Sequence, residues 1–143
     1  MKMTKAERLA IEASARKAVN RLLKSNALNQ RVTFSRDGPS HEFDIFEKGV
    51  IIGGVSTSTT KVGKGTDNTG GKDRAASELL WLTLWPGEEK RLHVMTDKSL
   101  ADWLYQKYKG ADFRYPISIY HYDQISQILT EIGVLGITEK GCL

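Results

Sequence analysis

Residues 41–57 constrain this chain more than any other stretch. Glu42 to Phe46 and Val50 to Thr57 read as strands, and the two-residue Lys48-Gly49 turn between them closes an antiparallel hairpin. Asp44 stands between Phe43 and Ile45, where strand alternation places its side chain opposite theirs. An acid on so apolar a strand calls for a metal, a base or a nucleic acid to offset its desolvation. The second strand carries Gly53, Gly54 and Ser56 where a metal site would draw its other ligands.

The composition narrows the class of protein. A chain of 143 residues, 40% hydrophobic and 27% charged, is long and apolar enough to bury a core as one globular domain spanning 1–143. No apolar run approaches the ~18 residues of a membrane span. The start, Met-Lys-Met-Thr-Lys-Ala-Glu, lacks the apolar centre of a signal peptide. Both features point to a cytoplasmic protein with no membrane partner. Cys142 is the only cysteine, so an internal disulfide and a cysteine zinc site are excluded. His41, His93 and His121 are scattered and form no zinc-binding spacing. Ser56 and Ser58 have no neighbouring base in sequence to activate them as nucleophiles.

Charge is unevenly distributed. Residues 1–36 hold nine Lys or Arg against two Glu, a net of +7, and the remainder is net −3. A basic front end attracts a phosphate backbone without regard to sequence, although a solvated helix face produces the same pattern.

Helices and strands alternate along the chain. Thr4 and Glu7 form a capping box that opens a helix to about Leu23. Asn26 to Gln30 reads as a turn, Arg31 to Arg36 as a short strand, and Asp37-Gly38-Pro39-Ser40 as a second turn. Lys61 to Lys72 is a loop rich in glycine and lysine, followed by a helix over Asp73–Trp85 that Asp73 caps and Pro86-Gly87 ends. The loop does not match a phosphate-binding P-loop, because Thr66 and Asp73 occupy the positions of its first glycine and its hydroxyl residue. A strand over Arg91–Thr96, a helix over Leu100–Tyr108, a strand over Ile117–Tyr120 and a last helix over Asp123–Ile132 complete the chain. The order α-β-β-β-α-β-α-β-α predicts an α/β protein with a mixed sheet, an antiparallel meander plus crossover strands, flanked by helices on both faces. Trp81, Trp85 and Trp103 read as core or interface residues. Tyr115, Tyr120 and Tyr122 cluster around the last strand and are candidates for a homo-oligomer contact.

Residues 4–97 resemble the PD-(D/E)XK nuclease superfamily, the restriction-endonuclease-like proteins. The likeness rests on helix, three-strand meander, helix and fourth strand, with His41-Glu-Phe-Asp-Ile45 leading into a turn and an apolar strand. It implies a restriction-endonuclease-like core acting on DNA, with magnesium as cofactor and Asp44 as a metal ligand. The family's acid and lysine on the third strand fall at Gly54 and Ser56, and neither residue can take that part. A remodelled site is therefore implied: Asp44 and Glu78 as metal ligands, Lys61 as the phosphate-facing cation, and Glu42 as an alternative second carboxylate. Lys64, Lys72, Arg16 and Lys17 are the candidates for contact with the nucleic-acid backbone. Mg-dependent phosphodiester cleavage and DNA binding without cleavage both stay open. So does a non-enzymatic protein-interaction or oligomerisation module on an inactivated nuclease fold.

Overall fold

Side chains of β3 alternate between two apolar layers, and this alternation organises the molecule. The computed structural model describes residues 3–63 and 65–136. Its elements are α1 (Lys5–Leu23), β1 (Leu28–Thr33), β2 (Ser40–Glu47), β3 (Ile51–Ser56), β4 (Lys61–Val62), β5 (Thr66–Asp67), α2 (Thr69–Leu84), β6 (Lys90–Met95), α3 (Lys98–Tyr108), β7 (Ile117–Asp123) and β8 (Ile128–Leu135). Six strands form one mixed sheet in the order β1-β2-β3-β6-β7-β8. The first three are an antiparallel meander, β6 and β7 lie parallel to β3, and β8 returns antiparallel to β7. Ile51 and Val55 pack with Ala15, Ala18 and Val19 of α1, whereas Ile52 packs with the layer of α2 and α3. Alanine along α1 lets that helix lie close on its face of the sheet. Among the described residues, no helix is long and apolar enough to cross a membrane.

Local chemistry accounts for the helix ends. The Thr4 side chain accepts the Glu7 N–H at 3.0 Å while the Glu7 carboxylate accepts the Thr4 N–H at 3.1 Å, completing the expected capping box. Lys24 ends α1 in the left-handed region at φ 54°. The helix α2 begins earlier than Asp73, because Asn68 caps it by accepting the Gly71 N–H at 3.0 Å. Part of the glycine-lysine segment before it is ordered as the β4–β5 ribbon. The turn after β2 takes in Val50 as well as Lys48 and Gly49: Val50 N–H donates to the Glu47 carbonyl at 2.9 Å, and Gly49 has φ +77°. Strand β1 starts at Leu28, inside the segment that reads as a turn.

The largest difference lies at the end of the chain's described part. No helix occupies Asp123–Ile132; β7 extends to Asp123 and β8 begins at Ile128. The Asp123 carboxylate accepts the N–H groups of Ile125 and Ser126 at 2.9 and 3.1 Å, and Gln127 turns the chain at φ 61°. Ile125, Ile128, Leu129 and Ile132 have helical spacing, yet Ile125 is 97% exposed and Ile128 59% exposed, so that spacing marks no buried stripe. Pairing with β7 decides the conformation instead.

Candidate active site

The meander contains an irregularity where it matters. Leu28 and Gln30 of β1 pair with Phe46 and Phe43 of β2, so β2 carries one extra residue between Phe43 and Phe46. Such a bulge breaks alternation and re-aims a side chain. Phe43 and Ile45, expected on one face, consequently pack in opposite layers, with Asp44 between them. The last ladder pair of β2 with β3 on this side is Ile45 with Gly53. Beyond it the Asp44 carboxylate replaces the ladder, Oδ2 accepting the Val55 N–H at 2.8 Å. Arg16 of α1 donates to the Asp44 carbonyl at 2.9 Å, and Asn29 Nδ2 reaches Asp44 Oδ1 at 3.4 Å.

Asp44 opens into a cleft of about 470 Å³. Lys5, Arg8 and Glu12 of α1 form one wall, and Arg74 and Glu78 of α2 the other. Glu42 and Asp44 of β2, residues 55–58 at and beyond the end of β3, and His93 of β6 complete it. The cleft thus gathers four carboxylates. Burial, helped by the charges of Glu12, Glu78 and Glu42 and opposed by the Val55 hydrogen bond, raises the Asp44 pKa to about 7. Burial also raises Glu12; Arg8 opposes that rise, with Glu42 adding to it.

Glu78 reaches the cleft because Gly54 has no side chain. A Cβ at Gly54 would lie 2.6 Å from Glu78 Oε1 and 2.8 Å from its Cγ, so the carboxylate occupies the space a third-strand side chain would fill. Glu78 Oε2 is held by His41 Nε2 at 3.0 Å, and the His41 ring stacks on Trp81 at 4.5 Å between centroids. Glu78 Oε1 is buried with no hydrogen-bond partner. Nor has Nδ1 of His93, whose residue is 1% exposed. Burial lowers the His93 pKa to about 4, with the Glu78 charge opposing, so the imidazole is neutral at pH 7.

Hard divalent cations take oxygen ligands of the kind that Asp44 and Glu78 carry. Among the described residues, no three His, Cys, Asp or Glu side chains converge as a metal cage. Magnesium asks for less, since one or two carboxylates with waters and substrate oxygens complete its octahedron. Asp44 and Glu78 both line the cleft with carboxylates, and Glu78 Oε1 is buried there without a hydrogen-bond partner among the described residues.

The other expected site residues are distributed as follows. Glu42 lines the cleft. Lys61 does not; it lies on the β4–β5 ribbon, 3.8 Å from Asp67. Lys72 bonds the same Asp67 at 2.6 Å and sits 5.0 Å from the Trp103 ring centre. Arg16 is occupied with the Asp44 carbonyl, and Lys17 lines a separate hollow beside Ser14 and Tyr122. Lys64 and Cys142 lie outside the described residues. Sequence reasoning missed Glu12, Arg74, His41 and His93. Arg74 and Glu12 had a legible signal, each four residues from an opposite charge on one helix face, Glu78 and Arg8.

Comparison with protein-family models, with curated proteins and with solved structures finds no significant match to this chain.

Proposed function

We propose that this chain is a restriction-endonuclease-like protein that cleaves DNA phosphodiesters with Mg²⁺, through a site whose second carboxylate comes from α2 instead of β3. The observation that carries this reading is the seating of the Glu78 carboxylate in the space left by Gly54, in the cleft that Asp44 enters. The parallel placement of β6 beside an antiparallel meander, with α2 as the crossover, supports it.

Asp44 and Glu78 would hold the ion, which supplies Lewis-acid stabilisation of phosphoryl charge and a more acidic water. The chain's own residues set the geometry. The Val55 N–H and the β2 bulge aim Asp44. Trp81 and His41 orient Glu78 and leave one of its oxygens free toward β3. Glu42 and Glu12 raise the negative potential that draws a cation into the cleft.

Incubation with supercoiled and linear DNA in Mg²⁺ or Mn²⁺ tests the reading. The parent is expected to cut, and Asp44→Ala and Glu78→Gln to lose at least about a hundredfold in rate. Cleavage that survives in Asp44→Ala sinks the site assignment. No cleavage, with binding that weakens steeply as salt rises, transfers the conclusion to a DNA-binding protein that does not cut. With neither, the interaction module is the better description.

Gly54→Ala probes the seat directly. The new methyl group displaces the Glu78 carboxylate, so cleavage should fall at least about tenfold while urea unfolding changes by about 1–2 kcal/mol. Unchanged cleavage in a folded Gly54→Ala protein would remove the Glu78 seat from the site.

A further inference from the structure

We infer that Arg74 is the cation that meets the phosphate under attack, and that Arg74 and Glu78 act as one unit displayed by a single face of α2. This rests on the nuclease reading above. Residues four apart on a helix are neighbours on one face, about 6 Å apart along its axis. Alternate residues of a strand are separated by about 6.6 Å. As the crossover between parallel β3 and β6, α2 runs back along the strands, with Glu78 over Gly54 and Arg74 reaching Ser58, so it presents an acid and a cation at nearly the spacing that Gly54 and Ser56 would give had they carried such groups. Both Arg74 and Glu78 line the cleft, and the space above Gly54 is already filled from α2.

Among the described residues, the other candidate cations near the cleft are committed elsewhere or lie across it. Lys61 and Lys72 share Asp67, and Arg16 serves the Asp44 carbonyl. Arg8 lies 3.8 Å from Glu12, and Lys5 sits in the first turn of α1 on the opposite wall. Among the described residues Arg74 makes one long side-chain bond, Nη2 to Ser58 Oγ at 3.3 Å, which leaves most of its planar donor fork for two phosphate oxygens. Two buried groups between the walls, Glu78 Oε1 and His93 Nδ1, have no partner.

In the hydrolysis, a water oxygen bonds to phosphorus as one P–O ester bond breaks. The water's proton passes to solvent, and the departing oxygen takes one from solvent. Arg74 exchanges no proton, because a guanidinium stays charged throughout; it offsets the charge that grows on the equatorial oxygens.

Two measurements on the full chain decide the matter: plasmid cleavage in Mg²⁺, and anisotropy of a fluorescein-labelled 20-base-pair duplex titrated in Ca²⁺ at several salt concentrations. Arg74→Ala is expected to lose about a hundredfold in cleavage and to lower the salt slope of binding by about one unit. Arg74→Lys should recover part of both, and Lys61→Ala should leave cleavage within about twofold. A parent that cuts while Arg74→Ala cuts within threefold of it overturns the role of Arg74 and leaves the nuclease reading intact. A parent that binds without cutting ends the cleavage reading. With no phosphate under attack, that outcome also overturns the role of Arg74, whatever the salt slope. A parent that neither cuts nor binds the duplex overturns both.

Discussion

Asp44→Asn is expected to stabilise the protein by about 2–4 kcal/mol at pH 8 in EDTA. The folded chain holds the Asp44 pKa at about 7, first through burial and then through the charges of Glu12, Glu78 and Glu42, against an ordinary value of 3.8. Between those two values the native state binds more protons than the unfolded state, so stability falls as pH rises through the window. Below pH 3.8 both states are protonated and the penalty is absent; above about pH 7 it is present in full. At ~1.36 kcal/mol per pH unit the window amounts to about 4 kcal/mol, and hydration through the open cleft reduces it. Asparagine keeps an oxygen for the Val55 N–H and removes the charge. His93 has the opposite slope, because burial lowers its pKa from 6.5 to about 4, and its contribution is lost as pH falls through that interval. In the parent the two slopes oppose each other where their windows overlap. Asp44→Asn should therefore expose acid lability below pH 6.5. Urea unfolding across pH 3.5–8.5 checks both, and an asparagine variant less stable than the parent at pH 8 would contradict the origin of the strain. A gain in stability together with a loss of cleavage is the signature of an acid kept for its chemistry.

The second large effect is a loss. Arg91→Met should destabilise by about 3–5 kcal/mol. Arg91 is 1% exposed. Its guanidinium donates to the carbonyls of Leu82 at 2.7 Å, Glu89 at 3.0 Å and Gly87 at 2.8 Å, and also to the carbonyl of Trp85. Tyr115 covers it, with the ring centre 4.1 Å from Cζ. Two of those carbonyls belong to the last turn and cap of α2, which has no intrahelical donors left for them. Methionine fills the volume and leaves all four acceptors unpaired. Arg91→Lys, a point charge with three donors, should lose less, about 1–3 kcal/mol. Urea midpoints within 1 kcal/mol of the parent for Arg91→Met would show that water replaces the fork. The consequence reaches the cleft, because Arg91 ties down the helix that carries Arg74 and Glu78.

Much of this architecture was legible residue by residue. The capping box at Thr4 and Glu7 opened α1 as expected, and apolar runs bounded by turns marked β2, β3, β6 and β7. Where the reading failed, two local interpretations had similar propensities. Asn68 and Asp73 are both good helix caps; Asn68 takes the part, its Oδ1 accepting the Gly71 N–H while its Nδ2 donates to the Thr59 carbonyl. Ile125 to Ile132 suits a helix by spacing, but β7 would otherwise leave a row of unpaired backbone groups at its edge, and β8 satisfies them. The bulge at Asp44 was invisible because it is a property of the pair β1–β2, not of either strand.

By itself the sequence determined that an acid stands in an apolar hairpin at Asp44 and that the strand facing it carries no partner for it. Those facts follow from local alternation and from residue type alone. Only the tertiary structure decided what stands in the partner's place. The packing of α2 along β3 turns the absent side chain of Gly54 into the seat of the Glu78 carboxylate, and the packing of α1 on the other face brings Glu12 to the opposite wall. Contacts between residues so distant along the chain depend on how helices pack on a sheet, and no periodicity in one segment encodes that packing.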